Sequence, residues 1–395
     1  MSGASAPAAV TAIHKRHVIY VHGYDPRGEN TYGRLLREQY LAYCALHGLK
    51  GRSVQEGGTC TPHVFFTQHA GGPVQTVFEH YGWEDCVRPD FERPFLLTLS
   101  QAWGVLVTGI FDGSQCAMFR ASRRFHAFLT YPFVLFFLLL ALALVVGTGA
   151  GFAAEGFSNS VSMAIVAGFL AAGCVLFTLV QCLERKTYMK YLFSFIVATD
   201  RYARGLQPTW QQASHQFAQA FVTTVQETDA DEIVVIGHSL GASVAVDILT
   251  RAAELDPQFA GRGTRVVFCS LGSCLPYPAL HPRAHALRQR ILRITEIPGL
   301  EWIDVQARKD VINFCPFDPI GDLGLVLSAE GRRPTILEVR FRDLILPENY
   351  PSFRLHFFNI HFQFIKANQR LGAAYDYLHW CCGCRPFGSD ARGDL

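Results

Sequence analysis

The stretch Ile233-Val234-Val235-Ile236-Gly237-His238-Ser239-Leu240-Gly241-Ala242-Ser243-Val244-Ala245-Val246-Asp247-Ile248-Leu249 decides the fold class. Its β-branched start predicts a buried strand, its two glycines a sharp turn, and the small-residue run beyond them a helix. The glycines remove side chains where strand and helix crowd together, which leaves Ser239 on a strained elbow. A serine held in this way is a candidate nucleophile. Its neighbour His238 points away on such an elbow and is read as packing or site lining, not as the base.

Working outward, residues 17–21 (HVIYV) predict a buried central strand that ends in His22-Gly23-Tyr24-Asp25-Pro26. Residues 31–47 predict a helix, with Leu35, Leu36, Tyr40, Leu41 and Tyr43 at helical spacing and Gly48 as its stop. Residues 63–67 predict a second strand, and residues 70–94 carry no clear pattern beyond a Gly71-Gly72-Pro73 turn. Residues 95–111 read as an apolar helix, interfacial or buried. After the elbow helix, residues 265–271, 302–305 and 335–341 predict further strands, and 291–295 a short strand or a helix end. Residues 357–378 read as a last helix that begins near His361. Strands that alternate with helices indicate an α/β fold with a mainly parallel sheet covered on both faces.

Between these parts, residues 127–146 (AFLTYPFVLFFLLLALALVV) run without a charge for about the length that crosses a hydrocarbon core. Residues 161–183 form a second such run. Two in succession predict a transmembrane hairpin, here with residues 147–160 as its connection. Arg120, Arg123 and Arg124 precede the first run and Arg185, Lys186 and Lys190 follow the second, whereas the connection carries Glu155 and no Lys or Arg. By the positive-inside rule both termini and the catalytic parts face the cytoplasm. The expected organisation is residues 1–69 and 205–380 as two parts of one domain, residues 70–204 as an insertion, and residues 381–395 as a flexible tail.

Composition agrees with a membrane partner. Of 395 residues 50% are hydrophobic and 17% charged, an apolar balance whose surplus needs a lipid bilayer to bury it. Net charge is +2 with no basic block interleaved with aromatics, which excludes a nucleic-acid partner. Residues 1–11 show no basic start followed by an apolar stretch, so no secretory signal is expected. The twelve cysteines lack a disulfide spacing and suit a reducing compartment. Cys381, Cys382 and Cys384 lie close enough together to hold a metal or take a lipid, but no fourth ligand has the spacing for a metal. No phosphate-binding loop, dinucleotide turn or metal-binding His-x-x-x-His is present, so neither cofactor nor metal is implied. The oligomeric state is not legible.

His22-Gly23 after an early strand, Gly237-His238-Ser239-Leu240-Gly241 at the elbow, and an acid and then a histidine downstream together resemble the α/β-hydrolase superfamily, within it the lipase- and esterase-like members. The resemblance covers most of the chain outside residues 70–204 and implies the order nucleophile, acid, histidine. Asp310 lies just after a strand and before Val311-Ile312, much like the Asp-x-Val turn of lipase-like hydrolases. Asp318, in Phe317-Asp318-Pro319-Ile320, is the alternative acid, and Asp304 a third. For the base, His361 sits where the family places its histidine, between the last strand and the last helix; His356 is less well placed. The implied chemistry is attack by Ser239 on an ester carbonyl, with His361 as base and Asp310 orienting it. Backbone N–H groups of Leu240 and Tyr24 are the expected oxyanion donors, although Tyr24-Asp25-Pro26 replaces the glycine-rich loop of many esterases.

The resulting expectation is a membrane-anchored serine hydrolase that cleaves a carboxylic ester, of a lipid or another acyl substrate. An acyltransferase using the same acyl-serine, and a non-catalytic scaffold on the same fold, are the alternatives. Residues 275–287, with their prolines and histidines, are a candidate lid.

Overall fold

Strand β5 (Glu232–His238) is buried at every residue, as a strand covered on both faces must be. It lies inside an eight-stranded sheet of order β2-β3-β4-β1-β5-β6-β7-β8. The other strands are β1 (Lys15–Val21), β2 (Lys50–Gln55), β3 (His63–His69), β4 (Gly72–His80), β6 (Arg265–Leu271), β7 (Leu300–Gln306) and β8 (Thr335–Glu338). From β4 to β8 each neighbouring pair is parallel, while β3 is antiparallel to both β2 and β4. The protein is therefore α/β with a mostly parallel mixed sheet. The computed structural model describes residues 12–55, 62–354 and 356–389.

Val18 and Tyr20 of β1, Val234 and Ile236 of β5, and Val267 and Cys269 of β6 share one core with Leu36, Tyr40 and Tyr43 of helix Glu29–His47 and with Trp380 and Phe387 near the chain's end. The helix ends where expected, at Gly48 in the left-handed region (φ 64°). The alternate residues Ile19, Ile233, Val235, Val266 and Phe268 are buried as well.

The chain falls into two compact units. One comprises residues up to Pro89, 120–122 and from Asp200 onward, and the other Asp90–Phe119 and Arg123–Thr199. The inserted region is thus shorter than the expected 70–204. Residues 72–80 belong to the sheet as β4, joined to β3 by a two-residue turn, with Gly72 at φ 117° and Val74, Thr76 and Phe78 on the covered face. The expected turn at Gly71-Gly72-Pro73 is the end of this hairpin, and the alternation that follows it is the missed strand.

Residues 291–295 close a helix, His285–Thr295. Residues 357–378 form no continuous helix: Phe357–His361 is helical, Phe362–Ile365 forms a 3-10 turn, and helix Tyr377–Cys382 follows an irregular stretch. Residues 381–389 form no flexible tail either. Arg16 is fully buried in β1, and its guanidinium donates to the carbonyls of Cys381 and Gly383 (2.9 Å each) and of Arg385 (2.6 Å) while pairing with Glu232 at 2.6 Å. A buried guanidinium needs all its donors met, and the C-terminal carbonyls meet them. Cys381 and Cys382 are buried with them, and burial pushes the Cys382 thiol up to about 12. Residues 390–395, the rest of the expected tail, lie outside the described residues, as do 1–11.

In the second unit, helices Arg123–Ser158 and Val161–Thr187 are each long and apolar enough to cross a membrane. They extend beyond the expected 127–146 and 161–183, and the turn between them is only residues 159–160. Gly147 does not break the first helix. A Cβ there would stand 2.6 Å from the Gly168 carbonyl oxygen, and one at Gly151 3.0 Å from that of Ala164, so these glycines let the two backbones touch.

Candidate active site

Ser239 adopts φ 58°, a left-handed conformation that a non-glycine residue holds only when its surroundings enforce it. Three glycines make the enforcement possible. A Cβ on Gly237 would lie 2.5 Å from Ala242 Cα, one on Gly241 would collide with the carbonyl oxygens of Val21 and His22, and one on Gly23 would lie 2.9 Å from Ser239 Cβ. The turn is fixed by backbone bonds: Ser239 N–H donates to the Leu271 carbonyl at 3.0 Å, and the Ser239 carbonyl accepts from Ala242 at 3.2 Å and from Cys274 at 3.1 Å. Helix Gly241–Leu255 then starts directly behind Leu240. Ser239 is 9% exposed.

The expected acid and base meet. His361 Nδ1–H donates to Asp310 Oδ2 at 2.7 Å, with both residues buried. Asp310 is itself fixed, because its Oδ1 accepts the Ile312 N–H at 2.9 Å and Asn313 Nδ2 donates to its carbonyl at 3.1 Å. With Nδ1 protonated, His361 Nε2 carries the lone pair; it is buried and has no hydrogen-bond partner among the described residues. That is the state in which an imidazole can take a proton.

The other carboxylates are engaged elsewhere. Asp318 pairs with Arg333 and accepts the Ile320 N–H at 2.9 Å. Asp304 accepts from the Ser270 hydroxyl and, at 2.6 Å, from Gln306 Nε2; burial pushes its carboxyl up to about 6. His356 bonds to the Ser352 carbonyl.

Cys274, which sequence reasoning passed over, connects Ser239 to the turn that holds Asp310. Its S–H donates to the Ile312 carbonyl at 3.2 Å, which leaves the sulfur as acceptor for the Ser239 hydroxyl at 3.4 Å. Full burial pushes this thiol up to about 12, so it stays neutral. In this arrangement the Ser239 hydroxyl is bonded to sulfur and not to His361. The available signal is topological: Cys274 follows β6, the parallel neighbour of β5, so its loop opens beside the elbow.

His238, expected as packing or site lining, stacks on His361. The ring centroids of His238 and His361 are 4.6 Å apart, and His238 Nε2–H donates to the His361 carbonyl at 3.3 Å. Burial holds His238 well below the usual histidine value and hence neutral. On the oxyanion side, Leu240 is fully buried at the helix start, and the Gly23 backbone lies against Ser239 with the buried Tyr24 next in the chain. The candidate lid is pinned: Arg288 donates to the carbonyls of Ala279 (2.7 Å), His281 (2.9 Å) and Pro282 (3.1 Å). Among the described residues no group of three His, Cys, Asp or Glu could hold a metal ion.

No family model, curated protein or solved structure matches the chain.

Proposed function

We propose that the protein is a membrane-anchored serine hydrolase of α/β-hydrolase type that cleaves a carboxylic ester through an acyl-serine intermediate. The observation that carries the reading is the conjunction of Ser239 at φ 58° between β5 and its helix with the buried His361–Asp310 pair at 2.7 Å. Ser239 turns its hydroxyl from Cys274 to His361 Nε2, attacks the carbonyl, and gives up its proton; Asp310 keeps Nδ1 protonated and stabilises the imidazolium. Leu240 N–H, at the positive end of its helix, and Tyr24 N–H stabilise the oxyanion. Water then releases the acyl group.

The substrate is a lipid or other acyl ester, in keeping with the membrane anchor. The two long helices cross the bilayer as a hairpin. Their basic ends, Arg123 with Arg124 and Arg185 with Lys186, lie on the cytoplasmic side together with the termini and the catalytic unit.

The test is labelling of the detergent-solubilised protein with a fluorophosphonate probe, which reacts with an activated serine. Labelling is expected in the wild type and absent in Ser239→Ala. Asp310→Asn and His361→Ala should each slow hydrolysis of a p-nitrophenyl ester by about 10⁴-fold, while Asp318→Asn leaves it unchanged. A folded wild-type protein that does not label would refute the reading.

A further inference from the structure

Helix Phe95–Phe111 (FLLTLSQAWGVLVTGIF) has 17 residues and no ionisable side chain, and its surface is unlike that of a helix made for water. Leu96 is 73% exposed, Trp103 41% and Phe111 87%, with Leu97 and Ile110 also exposed. Its hydroxyls are already satisfied internally: Thr98 donates to the Pro94 carbonyl at 3.3 Å, Ser100 to Leu97 at 2.8 Å and Thr108 to Gly104 at 2.8 Å. Exposing this surface to hydrocarbon strands none of these donors, whereas exposing it to water leaves a large apolar area uncovered.

Its position on the long helix Arg123–Ser158, in the same unit, sets a depth. Phe95 lies 6.2 Å from Phe136, and Trp103 lies 5.6 Å from Phe133 and 5.3 Å from Phe137. Phe95 and Trp103 are about 12 Å apart along their own axis, yet they meet the long helix within about 6 Å of its length. The two helices therefore cross. The level of crossing is a boundary: Phe133 is 5% exposed and Val134 59%, and from there exposed apolar side chains continue to Phe152, with Glu155 beyond. Residues 134–154 span about 31 Å, close to the thickness of a bilayer core of about 30 Å.

We infer that helix Phe95–Phe111 lies in the plane of the membrane, embedded in the acyl chains near the headgroup edge of the leaflet that holds Arg123 and Arg124, as a third membrane element beside the two spans. This rests on the reading of the two long helices as spans. The occupant of its exposed face is lipid from that bilayer. Charged side chains flank it within two residues, Arg93 before Pro94 (paired with Asp90 at 2.9 Å) and Asp112 after Phe111, as suits headgroup level.

The sequence supplies the probe. Of five tryptophans, Trp83, Trp210, Trp302 and Trp380 are buried and Trp103 is exposed. The full chain is reconstituted in phosphatidylcholine vesicles whose acyl chains carry bromine either near the headgroup or near the terminal methyl. Tryptophan emission should fall with the shallow bromines, much less with the deep ones, and neither loss should persist in Trp103→Phe. Two results overturn the inference while leaving the spans intact: no quenching from either lipid in vesicles from which alkaline carbonate does not extract the protein, or stronger quenching by the deep bromines, which makes the helix part of a span. Release of the protein by alkaline carbonate overturns the spanning reading, and the inference with it.

Discussion

Glycine does opposite work in the two units. Around Ser239, Gly23, Gly237 and Gly241 clear backbone from a single point so that one serine can hold a strained conformation. In the helix pair, Gly147, Gly151 and Gly168 let two regular backbones touch along their length, and no residue within either helix adopts a positive φ; Asn159 (φ 48°) and Tyr188 (φ 52°) do so only at the turn and at the C-cap. The first set permits a strained conformation at one serine, while the second gives the close backbone packing that would stand in for the hydrophobic effect if the pair lies in lipid, as proposed. Burial differs in the same sense: β5 is wholly buried, whereas the most apolar windows of the two long helices are only 22% and 11% buried within the protein.

The sharpest way to break this comparison is to add one methyl group in each place. In Gly241→Ala the new Cβ meets two backbone carbonyls that cannot move without displacing β1, at a cost of more than about 3 kcal/mol. Probe labelling should vanish and the melting temperature of the sheet unit should fall. In Gly147→Ala the new Cβ meets the Gly168 carbonyl, at a cost of about 1–3 kcal/mol, and the helix pair loosens while Ser239 still labels. Equal loss of labelling in both variants would show that the two glycine sets do not serve separate ends.

The same contrast explains what could be read from the sequence. A buried parallel strand and a long apolar helix are legible because each satisfies its demands within a short stretch, as at residues 233–236 and 161–183. Strand β2, KGRSVQ, is not: it is an edge strand, largely exposed, and its charged residues serve to keep other strands away. Strand β4 was hidden by its Gly-Pro start, although its alternation was present. The docking of residues 381–387 follows from Arg16, more than 360 positions earlier, and no local pattern carries it. The choice among Asp304, Asp310 and Asp318 is equally non-local. Asp310 and Asp318 lie at turns and Asp304 in strand β7, and only the fold brings one of them within 2.7 Å of His361.

A smaller effect sharpens the picture of the site itself. His238 is neutral in the folded protein and titrates at its ordinary value when unfolded, so the unfolded state binds more protons below about pH 6.5. Stability is thus fully present above that pH and is lost as pH falls, by about 1.4 kcal/mol for each unit below it. His238→Gln cannot titrate, and its Nε2 can still donate to the His361 carbonyl. Its stability relative to wild type should rise by about 1 kcal/mol between pH 6.5 and pH 5.5, measured by urea unfolding of the purified protein in detergent. A pH-independent difference would mean that His238 is charged in the fold, contrary to its burial.

The smallest expected effect concerns the one interaction that, in the proposed mechanism, sets the resting site apart from the reacting one. The Ser239 hydroxyl is bonded to the Cys274 sulfur, a weak acceptor, and must leave it to reach His361 Nε2. Cys274→Ala removes the competing acceptor, and Cys274→Ser replaces it with a stronger one. Labelling should quicken about threefold in the alanine variant, equivalent to roughly 0.6 kcal/mol, and slow in the serine variant. The pair of variants separates this role from packing, because a cavity or a change of size in the acid turn slows both. If both are slower than wild type, Cys274 supports the Asp310 turn through Ile312 and does not restrain the nucleophile.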